Sequence, residues 1–234
     1  MNLNIYTSYH NNDYVEEYKL NEHNTKNKIL YNTIGENPLI NINDKNKLFG
    51  EFVTMYYVYF NDIKCDYIGF EHYRRRFKDI DMDDIQNYLD SGHIIVGDVI
   101  HDICPRKNFI DSHKHKNKFD FIIKLLNKKY GIKNKYSNYL CNESGVDFYA
   151  CELFIMDYDK FRQMFEFIWD LIVQLDNKID GKEFNLERYK KILNCKEQIE
   201  YNFRFYGFLI ERLVSCWIYC NGDNNIIEIR HECP

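Results

Sequence analysis

The chain has 234 residues, with 31 basic and 36 acidic side chains and a formal net charge of −5. At roughly 150 residues per domain this is one large domain or two small ones, long enough to bury an apolar core without metal or disulfide staples. With 45% apolar and 29% charged residues, wholesale disorder is excluded, and the slightly acidic balance disfavours a broad grip on nucleic acid, leaving only local basic patches.

Taken in chain order, apolar runs alternate with helical patterns. Leu3 to Thr7 reads as a short strand. Asp44 to Phe60 reads as a helix with Leu48, Phe52, Met55, Tyr56 and Tyr59 on one face. Tyr67 to Glu71 reads as a strand, Asp83 to Leu89 as a short helix, and His93 to Gly97 as a buried strand. Asp111 to Lys129 is expected to be helical, with Phe119, Ile122, Ile123 and Leu126 at helical spacing. Tyr149 to Met156 reads as a strand. Asp157 to Asp176 carries the stripe Phe161, Met164, Phe165, Ile168, Trp169, Ile172 and Leu175, and Glu197 to Tyr219 a second helical stripe ending at Trp217. Ile226 to Arg230 closes the series as a strand. There is no internal repeat and no low-complexity linker, so residues 1–234 are read as a single domain.

One alanine, Ala150, occurs in the whole chain. That bias marks an AT-rich coding sequence, as in a low-GC bacterium, a protist or a large DNA virus. No apolar run approaches the ~20 residues of a membrane span, and Met1 to Tyr6 lacks a secretory pattern. The eight cysteines form no CxxC pair, so reduced thiols in a cytoplasmic setting are expected, in the host cytoplasm if the source is viral. Cys216 and Cys220 fall on one helix face.

Strand–helix alternation predicts an α/β sheet flanked by helices, with ligands bound beyond the carboxyl ends of the strands. That rule selects Ser8 to His10, Glu71 to Arg76, Asp98 and the neighbourhood of Glu152. At Tyr67 to Phe77 an apolar strand runs into Glu71, His72 and three arginines, Arg74 to Arg76. Guanidinium forks bind phosphate bidentately and stay charged, so the run suits a diphosphate; the bland alternative is a solvated basic turn facing Asp79, Asp81, Asp83 and Asp84. His113 and His115, two residues apart at an expected helix start, suit a metal ion, an anion or an exposed polar helix end, although no HExxH or paired cysteine supports a metal. Asp147 and Glu152 border an apolar strand; a half-buried carboxylate there serves either as a base with raised pKa or as an ion-pair partner of Arg204 or Arg212. Gly-rich phosphate loops and the GxSxG nucleophile turn are both absent.

Two stretches then resemble a known family. Asn41-Ile42-Asn43-Asp44-Lys45-Asn46-Lys47-Leu48-Phe49-Gly50-Glu51-Phe52-Val53 is similar to N-I-S-x-x-N-x-x-(F/Y)-C-E-L-T, and Asp66 to Phe77 to D-Y-I-G-L-x-H-Y-R-R-Y-F. Those segments belong to the DUF4422 family of glycosyltransferase-like proteins met in capsule, exopolysaccharide and O-antigen loci. Glu152 to Met156 is similar to the family's N-M-F-I-M strand, with Glu152 in place of Asn. Arg204, Gly207-Phe208-Leu209, Glu211-Arg212-Leu213 and Trp217 match its R-x-x-G-F-L-x-E-R-L-x-x-x-W helix. Gly50 stands where the family has Cys, and Val53 where it has Thr.

The resemblance implies one GT-A-like, Rossmann-like nucleotide-binding domain with a mixed central sheet flanked by helices. It implies glycosyl transfer from a nucleotide-sugar donor, a UDP-sugar favoured and galactose or galactofuranose suggested by association, to a glycan or other hydroxyl acceptor. Within it, Thr7, Ser8, His10 and Asn41 would contact the nucleotide, His72, Arg74 and Arg75 the diphosphate, and His113 and His115 phosphate or acceptor. Asp147 or Glu152 would be the base. Glu51, Arg204, Glu211 and Arg212 would form a buried ion-pair frame. Glu71 with His72 or Asp98 could hold Mn²⁺ or Mg²⁺, unless Arg74 or Arg75 takes over the metal's charge role. The competing readings are an inactive nucleotide-sugar or glycan-binding module and a two-carboxylate glycoside hydrolase.

Overall fold

The computed structural model describes residues 2–23, 27–77, 81–97, 99–113, 115–180, 204–222, 225–229 and 231–232. Its centre is a six-stranded sheet of order β2-β1-β3-β8-β5-β9, built from β1 (Leu3–Tyr9), β2 (Lys28–Asn32), β3 (Tyr67–His72), β5 (Ile94–Val96), β8 (Phe154–Asp157) and β9 (Ile226–Glu228). β1 runs parallel to β2 and β3, and β5 to β9, whereas β8 is antiparallel to both its neighbours. The sheet is therefore mixed, with one reversed strand.

Alternation along the strands divides the core into two layers. Ile68, Phe70, Ile94, Val96, Phe154 and Met156 face the larger cluster. Leu3, Ile5, Ile95 and Ile155 face the smaller one. The larger face is covered by α3 (Phe52–Phe60), α6 (Lys116–Tyr130), α8 (Tyr158–Asp180) and α9 (Phe205–Asn221). On α8 the buried residues Phe161, Met164, Phe165, Ile168, Ile172 and Leu175 follow the expected stripe. The smaller face is covered by α4 (Met82–Asp90), which buries Ile85 and Leu89. Asp81 caps α4 by accepting from the Asp83 N–H at 2.8 Å, satisfying a donor that the first turn leaves without a partner. Among the described residues no helix is long and apolar enough to cross a membrane.

Three expected elements are interrupted. The helix expected over Asp44 to Phe60 is a 3-10 turn (Asn43–Lys45), α2 (Asn46–Phe49) and α3, broken at Gly50, whose φ of 60° and ψ of −137° are open only to glycine at low cost. The helix expected over Asp111 to Lys129 is two, α5 (Pro105–His113) and α6. The strand expected over Tyr149 to Met156 is β7 (Val146–Tyr149), a 3-10 turn (Ala150–Glu152) and β8. The pattern also did not mark β2, β4 (Arg76–Phe77), β6 (Val99–Ile103), α1 (Asp13–Glu17) or α7 (Lys135–Leu140). Residues 197–203 of the last expected helix, with Cys195 and Cys233, lie outside the described residues.

Candidate functional site

A cleft of about 170 Å³ lies beyond the carboxyl end of β3. Four segments meet there. Strand β3 contributes His72 and the turn after it contributes Arg74 and Arg75. The break between α2 and α3 contributes Gly50 and Glu51, and the turn before β8 contributes Cys151 and Glu152. The start of α9 contributes Arg204, Gly207, Phe208 and Glu211. Glu152 precedes its strand instead of following it. It reaches the carboxyl edge of β3 because β8 is reversed, with Phe70 opposite Phe154.

The local backbone explains how these side chains arrive. Gly69 lets β8 approach β3: a β-carbon there would stand 2.8 Å from Ile155 Cγ1. Beyond β3 the chain turns sharply, with the His72 N–H donating to Arg75 O and the Arg75 N–H to His72 O, both at 2.9 Å. This throws Arg74 outward, its guanidinium 5.2 Å from the centre of the Tyr73 ring. At Gly207 a β-carbon would come within 3.3 Å of Phe49 O, so the missing side chain lets α9 sit against the end of α2.

His72 and Glu51 are joined across the cleft. The Arg74 backbone nitrogen lies 3.3 Å from His72 Nδ1, and His72 Nε2 stands 2.7 Å from Glu51 Oε1. Arg204 stands 3.8 Å from the other oxygen of Glu51. Burial by itself would raise the Glu51 pKa, but the hydrogen bond from His72 and the His72 and Arg204 charges bring it down to about 2. Glu152 goes the other way. It is 7% exposed, its Oε2 is buried with no hydrogen-bond partner among the described residues, and burial, with Glu51 and Glu211 adding, holds its carboxyl well above the usual range while Arg204 opposes. Two carboxyls of one cleft are thus pushed apart, the arrangement that separates an ionised group from a proton-carrying one.

The remaining expected site residues fall elsewhere. Asp147 is not a cleft residue: it pairs with His101 Nδ1 at 2.8 Å on the exposed β6–β7 ladder, because it faces outward from its strand. Glu71 turns inward, accepting from Thr7 Oγ1 at 2.6 Å, from the Phe77 N–H at 3.2 Å, and pairing with Lys28 Nζ at 3.1 Å. Both its oxygens are committed, so it does not fit the role of cation ligand. Among the described residues no group of three or more histidine, cysteine, aspartate or glutamate side chains is placed to hold a metal ion. Asp98 lies outside the described residues. Thr7 is engaged by Glu71, and Ser8 by Thr54 at 2.7 Å.

His10 lies beside the cleft, edge-on to Tyr14 and Tyr73. Its pKa is lowered, first by burial; Glu51 opposes, while His72, Arg204 and Arg74 add to the lowering. Asn41 ties its own loop, donating to Asn37 O at 3.0 Å and Leu39 O at 2.8 Å. His113 ends α5 and does not begin a helix. It stacks on Phe208 at 3.9 Å, behind the cleft wall, and burial, with Arg212 and His115, pushes its pKa down to about 4. His115 precedes α6, 4.9 Å from the Phe205 ring. The expected ion-pair frame is two pairs, Glu51–Arg204 and Glu211–Arg212, the second at 2.5 Å; Arg204 is 42% exposed and so not buried. No sequence pattern marks Cys151. Phe208 was legible only as a neighbour of Gly207 in the last helical motif.

Three comparisons bear on this arrangement. The family model of a domain of unknown function, DUF4422, matches residues 4–222. No curated protein matches the sequence significantly. Among solved structures, the apo structure of the WbbM bifunctional glycosyltransferase is similar, with a TM-score of 0.73 at 19% identity over 100% of this chain. The chain spans 45% of the length of that protein. At that identity the likeness establishes the fold, which is a glycosyltransferase fold.

Proposed function

The chain belongs to the DUF4422 family, and from that premise we propose that it transfers a glycosyl group from a nucleotide-sugar donor to a hydroxyl acceptor in the cleft beside β3. The observation that carries the reading is the meeting, in one cleft, of Arg74 and Arg75 with the buried carboxyl of Glu152, whose Oε2 has no hydrogen-bond partner among the described residues. Arg74 and Arg75 bind the donor diphosphate and stabilise the negative charge that grows on it as the sugar departs. Glu152, once ionised, takes the acceptor hydroxyl proton. The acceptor oxygen then bonds to the anomeric carbon as the bond to the diphosphate breaks, and the nucleoside diphosphate leaves. Burial makes Glu152 a stronger base but keeps it protonated to higher pH, so turnover rises as pH increases through its titration.

In this reading residues 1–234 form one transferase domain acting in the cytoplasm in the building of a surface polysaccharide. A UDP-sugar is the favoured donor, with galactose or galactofuranose as first candidates. Arg74 and Arg75 carry the charge role that a divalent ion performs in many enzymes of this fold, consistent with the inward commitment of Glu71.

A thermal-shift panel of nucleotides and nucleotide sugars, with and without Mn²⁺ or Mg²⁺, tests the reading. A ligand at 100 times its dissociation constant adds about 2.7 kcal/mol to the native state. One UDP- or GDP-sugar is expected to raise the melting temperature without added cation, and Arg74→Ala with Arg75→Ala to abolish the shift. Absence of any shift in the folded protein refutes the donor site, and a shift without product formation supports the inactive binding module instead.

A further inference from the structure

The turn that carries Glu152 is unusual in its backbone. Cys151 has φ 64° and ψ 16°, and Glu152 has φ 54°. These are two successive residues with β-carbons in the left-handed region, a conformation that persists only where the surroundings over-determine it. β7 and β8 fix the two ends of the turn. Its middle is held from α9: the Cys151 N–H donates to Glu211 Oε1 at 2.8 Å.

Glu211 is itself immobilised. Its Oε2 takes Arg212 Nη1 at 2.5 Å. The same guanidinium donates to Phe208 O at 3.0 Å and to Asn108 Oδ1 at 2.6 Å, with the Phe148 and Phe109 rings against it at 5.2 and 5.8 Å. A continuous set of contacts thus runs from α5 through Arg212 and Glu211 to the turn. Both oxygens of Glu211 accept, so only a carboxylate serves both partners; an amide there would set its NH₂ group against either the Cys151 N–H or the guanidinium.

We propose that Glu211 is a positioning residue, whose carboxylate clamps the left-handed Cys151–Glu152 turn to α9 and so holds the Glu152 carboxyl in the cleft. The inference rests on the reading of Glu152 as the base. The charged groups facing Glu152 are Glu51 from the α2–α3 break and Arg204 and Glu211 from α9, while His72 from β3 lines the same cleft. Glu211 therefore acts on Glu152 both through the turn and through its charge, and two substitutions separate the effects. Glu211→Asp keeps the charge and shortens the reach; Glu211→Gln keeps one acceptor and removes the charge.

Steady-state kinetics of the full chain against pH, together with carbon-13 titration of labelled glutamates in the ligand-free protein, test the proposal; the Glu152 signal is identified by its loss in Glu152→Gln. Glu211→Asp is expected to lower kcat by about 100-fold, with donor KM changed by less than about threefold. Glu211→Gln is expected to move the Glu152 titration, and with it the acid limb of kcat, to lower pH by about one unit. A folded Glu211→Asp with wild-type kcat, or a Glu211→Gln whose Glu152 titrates as in the wild type, overturns the proposal. The ligand-free titration is read whether or not a donor is found. A shift there without turnover sinks the transferase reading and leaves Glu211 acting on Glu152; turnover without a shift does the reverse.

Discussion

At the residue scale the decisive feature is the opposed behaviour of Glu51 and Glu152. Glu51 is ionised, with its pKa brought down to about 2 against its burial by the His72 hydrogen bond and the His72 and Arg204 charges. Glu152 is buried beside two other carboxylates and resists ionisation. The sign of its contribution to stability follows from linkage. A folded-state pKa above the unfolded value of roughly 4.3 favours the folded protein fully below that pH, and the advantage is lost as pH rises through the folded value. Glu152→Gln has no such proton to lose. The urea midpoint of the wild type is therefore expected to fall relative to that of Glu152→Gln as pH rises from 5 to 9; parallel curves would refute the buried, proton-holding carboxyl. The same variant is expected to lower kcat by roughly 10²–10⁴-fold. The sequence offered Asp147 and Glu152 as equal candidates. Both border an apolar strand, and only the direction each faces separates them: Asp147 outward to His101, Glu152 into the cleft.

At the element scale, breaks carry more of the site than the elements do. Gly50 divides an apolar stretch whose spacing reads as one helix, and the division brings Glu51 to His72. Its φ of 60° is paired with a ψ that only glycine adopts readily, and a β-carbon would meet Arg204 Nη2 at 3.2 Å. Gly50→Ala is expected to cost about 1–3 kcal/mol, measured by chemical denaturation, and an unchanged midpoint would show that the break tolerates a side chain. Periodicity registers the apolar faces on both sides of such a break but not the break itself, because the residues flanking it keep a helical spacing. The same holds at the turn before β8, where Ala150, Cys151 and Glu152 interrupt an apolar run that reads as one strand. The two histidines show the converse. They fall at the start expected for the Asp111 to Lys129 helix, yet Phe109 and Phe119 both bury their rings in the core, and the chain divides between them so that His113 closes α5 and stacks on Phe208.

At the scale of the whole molecule, Cys65, Cys104, Cys141, Cys216 and Cys220 are free thiols, and the Cys216 thiol is buried within the larger core cluster. From the reduced thiols that the sequence suggests, a reductant is expected to leave the thermal midpoint unchanged; a loss of several degrees would reveal a stabilising disulfide. The sequence by itself determined the α/β class, the apolar faces of α8 and α9 and the strand leading into His72, Arg74 and Arg75. Each of these follows from local periodicity or from residues contiguous in the chain. Tertiary structure alone decided that β8 is the reversed strand of the mixed sheet, that Glu71 is spent on Lys28 and Thr7 inside the fold, and that Glu51, Glu152 and Glu211 share a cleft with Arg74 and Arg75. Those are relations between segments about 20 to 160 positions apart, fixed by strand order and by the close approaches that Gly69 and Gly207 permit, and no local spacing encodes them.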